Sequence, residues 1–225
     1  MLIHPAEARR QFREYAEREI TNDNLARGAL LIALEEYPRL DVEAYLRQLD
    51  DLAARVERKC ERNEPPVFRL GHLHSEMFDV DGYHGDATNY YDPRNAYLND
   101  VIDRKSGIPI TISIVFLHIA AKLGFTASGV GLPGHYIVKV QFELNEVYVD
   151  PFHGGTTLTM GEIGALLKEV SGGSASLAPE HLRAWTGRQT LARVLANLQN
   201  MWTRQGDPRR AASARERMEI LAAGL

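Results

Sequence analysis

One stretch, "IPITISIVFLHIAAKLGF" at 108–125, limits most sharply what this chain can fold into. It has the length of a helix, and apolar residues occupy nearly every face of it before Lys122 and the stop signal Gly124. A helix with so little polar surface has to be enclosed by other elements, so it belongs in the middle of a fold. The chain can supply the enclosure, since 225 residues at 44% hydrophobic content are enough to bury a sizeable core, as one large domain or two small ones.

The segments on either side differ in kind. Residues 5–62 read as helices, and in the third of these Leu46, Leu49, Leu52, Ala53 and Val56 recur at helical spacing behind Asp41, a predicted N-cap. "NEPP" at 63–66 ends that pattern. The region 72–109, rich in Gly, Asp, Asn and Tyr, reads as a long loop carrying a short helix around 94–103. Beyond the apolar helix, "TASGVGLP", "HYIVKVQF" and "EVYVDPF" have the β-branched and aromatic content of strands. A Gly/Ser-rich joint at 171–180 leads to two closing helices around a Gly206-Asp207-Pro208 turn. That hairpin resembles one tetratricopeptide-type unit; a single unit is too short for a solenoid, so it is expected to cap the rest. Its arginines, interleaved with Glu216 and Glu219, read as a solvated helix face. The predicted fold class is α+β, in three spans: 1–66 helical, 67–172 the core, and 173–225 the helical hairpin.

The stretch "LPGHYIVKVQFELNEVYVDPFHGG" at 132–155 carries the chemistry. Paired as a hairpin with its turn at Leu144-Asn145-Glu146, it brings the imidazole of His135 and the carboxylate of Asp150 from adjacent strands, as a base and its orienting acid are held in triad-type sites. Gly131 to Gly134 shape the turn that delivers His135, and Gly154-Gly155 permit a tight exit after Asp150. A single cysteine, Cys60, excludes an intramolecular disulfide framework and multi-cysteine metal sites. His72 and His74 form His-x-His, whose rings point about 200° apart on a helix. With His84 and His153 they make no His-Glu-x-x-His motif, so neither metal nor cofactor is expected. A net charge of -4 with interspersed signs argues against a dedicated nucleic-acid binder. No apolar run reaches the ~20 residues that span a bilayer, and the N-terminus lacks the apolar core of a secretory signal, which points to the cytoplasm and away from membranes.

The order of buried helix, His on a strand and Asp after the next strand resembles the transglutaminase-like core of the papain-type superfamily. "YYDPRNAYLNDVIDRKSGIPITISIVFLHIAAKLG", "GVGLPGHYIVKV" and "VDPFHGG" are similar to its bacterial SirB-type branch. The resemblance implies a small antiparallel sheet packed on the buried helix, with His135 and Asp150 as the triad histidine and aspartate. It also implies a nucleophilic Cys at the start of the helix. Aligning the Leu123-Gly124 helix end sets Gly107-Ile108-Pro109 where active members have Gly-x-Cys, so Pro109 takes the thiol position. The helix N-terminus retains the capacity to hold a small anion or carboxylate. Three residues compete to replace the thiol. Cys60 sits at a charged helix end ahead of the core, Ser113 follows Pro109 by one turn and is expected to bond back to its own helix, and Thr111 points elsewhere. Arg94, Asn95 and Asn99 are expected either to line the cleft or to tie down the long loop, and Gly134 is expected at the binding site. The resulting expectation is a pseudoenzyme with a protein or peptide partner and a regulatory role. The alternatives are a hydrolase or acyl transferase using Ser113 or an external thiol, and a purely structural His135–Asp150 hydrogen bond.

Overall fold

The computed structural model describes residues 2–143, 145–173 and 176–223, so Leu144 of the expected hairpin turn lies outside the described residues. Its elements run α1 (Pro5–Ala16), α2 (Asn22–Ala33), α3 (Val42–Glu57), α4 (Pro66–His74), a π-helical turn Ser75–Val80, β1 (His84–Gly85), α5 (Leu98–Arg104), β2 (Ser106–Gly107) and α6 (Pro109–Lys122). Then follow β3 (Thr126–Leu132), β4 (His135–Gln141), β5 (Glu146–Asp150), β6 (Thr156–Leu158), α7 (Met160–Val170), α8 (Gly187–Arg204) and α9 (Pro208–Ala223). The molecule is of mixed helix and sheet. Among the described residues no helix is long and apolar enough to cross a membrane.

The apolar helix is α6, and every residue from Pro109 to Ala120 is buried. Helices α2, α3 and α8 pack on one side of it and strands β3 and β4 on the other. Its polar side chains therefore need partners from neighbouring elements. Thr111 Oγ1 donates to the carbonyl of Asn95 at 2.7 Å, and His118 Nε2 lies 2.8 Å from Asp50 Oδ1 on α3. Ser113 departs from expectation: its Oγ is buried and forms no hydrogen bond among the described residues, not even back to its own helix.

The strands form an antiparallel sheet in the order β3-β4-β5-β6, the first three as the sequence suggests and β6 in addition. Its outer edge at β3 is closed by Asn22 Nδ2 on the carbonyl of Ala127 at 2.7 Å and by the Trp185 N–H on that of Gly129 at 2.8 Å. Residues 72–80, read from sequence as the start of a loop, are helical instead, as the end of α4 and the π-helical turn after it. The signal was present in Leu70, Leu73 and Met77, all buried at helical spacing, but the intervening Gly71, His72 and His74 diluted it.

The closing hairpin turns the apolar face of α8, with Leu191, Val194, Leu195 and Leu198, toward α2 and α6. One of its arginines contradicts the solvated-face reading. Arg217 is 4% exposed and donates to the carbonyl of Ile32, near the end of α2, and to that of Ser213. Carbonyls in the last turn of a helix have no intrahelical partner, and a cation there is favoured by the helix dipole. Truncation leaves that acceptor buried and unanswered, so Arg217→Ala is expected to cost about 2–4 kcal/mol in urea unfolding.

His118 gives a pH prediction. Burial is the largest influence and pushes its imidazole below the ordinary range, against the pull of Asp50. Because the folded value is depressed, the contribution is fully present above the unfolded value of about 6.5 and is lost as pH falls through the folded one. Melting temperature should therefore drop between pH 7 and 5, and His118→Asn should flatten that slope in a thermal scan.

Candidate functional site

The sheet register builds the site. Val138 pairs with Val149 across β4 and β5, so Asp150 lies opposite Ile137, and His135 is its diagonal neighbour on the same face. The β3–β4 connection is tight: Leu132 pairs with His135 across a two-residue turn in which Gly134 has φ +72°. After Asp150 the chain coils through a 3-10 turn, Pro151–His153, which lifts His153 back over the carboxylate. Gly155, at φ +75°, keeps this exit close to Phe78, whose ring a Cβ there would meet at 2.2 Å.

Asp150 is thereby shared. Its Oδ2 lies 2.8 Å from His135 Nε2 and 2.8 Å from His153 Nδ1, while Oδ1 accepts from the N–H groups of Phe152 and His153 at 3.1 and 3.3 Å. Burial works against the charge on Asp150, but the hydrogen bonds from His135 and His153 outweigh it and hold the carboxyl below the usual carboxylate range. The two nitrogens and the oxygen lie within 4.8 Å of one another and have the donor types that take a cation. Hydrogen bonding alone also accounts for the spacing.

With Nε2 committed, His135 Nδ1 has no protein partner among the described residues, and the residue is 6% exposed. It borders a recess of about 10 Å³, lined by Tyr90, Pro109, Ile110, Gly134, Tyr136, Arg193 and Asn197. This is roughly the room of one water. Pro109 thus lines the same recess as His135. Phe152 packs edge-on against the imidazole at 5.9 Å and against Tyr90 at 6.1 Å.

The competing nucleophiles fall elsewhere. Cys60 bonds the carbonyl of Val56, and its neighbour Arg69 reaches the carbonyl of Leu123, past the far end of α6. A helix of 14 residues separates that end from Pro109 by on the order of 20 Å. Ser113 is fully buried, with no bond to His135, and Thr111 is held by Asn95.

Arg94, Asn95 and Asn99 are absent from the recess lining, whereas Gly134 is part of it. Arg94 is exposed and paired with Asp92 at 2.6 Å. Asn95 donates to Asp86 and to the carbonyl of Asn89 and accepts from Arg104, which ties the loop to α5, while its own carbonyl accepts from Thr111 at the start of α6. Asn99 is buried, with its Oδ1 unpartnered among the described residues. His72 and His74 take separate partners, Glu64 and Asp79. Sequence reading missed His153 as a second partner of Asp150, although its position three residues on, across Pro151, carried the signal. It also missed Arg193 and Asn197, which lie one turn apart on a distant helix.

A model of the transglutaminase-like superfamily matches residues 43–196. A UPF0162 protein of Xylella fastidiosa (strain Temecula1) is 32% identical over 194 residues, covering 84% of this chain and 69% of the relative. One from Vibrio cholerae is 30% identical over 125 residues, 55% of this chain and 46% of that protein. The F-box only protein 21 of Mus musculus is 24% identical over 192 residues, 74% of this chain and 30% of its own length. No solved structure matches.

The unequal exposure of the two imidazoles yields a graded expectation. His153 is 57% exposed at its side chain and His135 5%, so His153→Ala should cost little. Asp150→Asn, which removes a charged acceptor from both rings, should cost about 1–3 kcal/mol by thermal or urea unfolding.

Proposed function

The chain belongs to the transglutaminase-like superfamily, and from that premise we propose that it is a member that binds rather than cuts. One observation carries the reading: the position beside His135 at the mouth of α6 is Pro109. A triad needs an attacking atom within reach of its base. Proline offers none, and its missing N–H also removes a backbone donor from the helix start. Read as the occupant of the family's Cys position in a SirB-type member, Pro109 leaves His135 and Asp150 as remnants of a triad. The burial of Ser113 and the remoteness of Cys60 both support this reading over a hydrolase or acyl transferase.

In this reading the protein acts through a protein or peptide partner, in a regulatory role, with the closing hairpin as a tetratricopeptide-like element beside the site. Incubation with fluorogenic peptide, amide and thioester substrates is expected to give no turnover above buffer. Turnover that disappears in His135→Ala would sink the proposal.

A further inference from the structure

Two residues of α8 stand out for what they lack. Arg193 and Asn197 are half-buried, and neither makes a hydrogen bond, ion pair or ring contact among the described residues. They lie four apart, hence on one face of the helix, and both line the recess at His135. The helix is docked there by Tyr136, whose hydroxyl meets Thr190 Oγ1 at 2.7 Å, one turn before Arg193. Arg193 is close enough to act electrostatically on the hydroxyls of Tyr90 and Tyr136.

The opposite wall is equally unanswered. Ile110 is the first residue of α6 with an N–H, and Ile108 supplies no side-chain cap, so that N–H lacks a partner among the described residues. His135, 6% exposed, lines the same space. Polar groups set close to buried surface normally find partners. A planar guanidinium, an amide and a helix-start N–H converging on room for about one water describe a receptor for an anion that arrives by its tip. Both oxygens of Asp150 are engaged elsewhere, one by two imidazoles and the other by two N–H groups.

We propose that Arg193 and Asn197 of α8, with the N–H of Ile110, form a receptor for a carboxylate at the end of a peptide or acidic side chain, so that the closing hairpin completes the site. Arg193 pairs with the carboxylate in a two-pronged bond at the rim. One oxygen enters the recess toward Ile110 and Asn197. This rests on the non-catalytic reading above and supplies its ligand class.

The test is an NMR titration of the full chain, following the Arg193 Nε–H and Ile110 amide signals. Three acetylated alanine tripeptides serve as probes: one with a free C-terminal carboxylate, its C-terminal amide, and an amidated version ending in aspartate. Shifts with either carboxylate and none with the neutral amide are expected, the responding probe identifying the source as chain end or side chain. Arg193→Gln should weaken the response about tenfold or more, and Arg193→Lys should restore part of it. Asn197→Ala, with the charge intact, should weaken it less. Equal shifts with the amide, equal shifts with inorganic phosphate, or titration unchanged in Arg193→Gln would overturn the proposal. None of these outcomes bears on turnover, so this inference and the non-catalytic reading fail separately.

Discussion

The burial of α6 on all sides is the constraint on which the rest depends. A helix enclosed in this way transmits each of its polar atoms as a demand on a neighbour. The demand near its start is met by one carbonyl, that of Asn95, which accepts from both Thr111 Oγ1 and the N–H of Ile108. Through that carbonyl the long segment before α6 is locked to the helix mouth, and the same Asn95 side chain gathers Asp86 and Arg104. The sheet covers the opposite side and brings His135 to the same mouth. Site geometry is therefore a by-product of core packing.

What could be read in advance followed the range of the interactions. The enclosed helix, the strands β3 to β5 and the pairing of His135 with Asp150 rest on local periodicity and on a register confined to one hairpin, and these were legible. The helix at 66–74 was obscured because glycine and histidines break up its apolar spacing. Arg217 looked like a surface residue because its partner, the carbonyl of Ile32, lies 185 residues away. Arg193 and Asn197 gave no sign for the same reason: their significance comes from β4 and α6, which their own helix does not reveal.

The carboxylate at the site's centre is unusual in how fully it is occupied. Two imidazoles converge on a single oxygen and two N–H groups on the other. Such saturation fixes the ring of His135 in orientation. The same saturation makes Asp150 part of the scaffold, since it is the cap of its own 3-10 turn. Chemical and architectural roles are thus joined in one side chain, and a change made to alter one alters the other.

The far border of the sheet has a separate consequence. Strand β3 would end in a row of open backbone groups, but Asn22 and the Trp185 backbone occupy two of its carbonyls. Those carbonyls are unavailable to a strand from another molecule, which discourages ribbon-like growth between copies. The segment leading into α8 thereby serves as a hem: the border that it closes against self-association is continuous with the helix that presents Arg193.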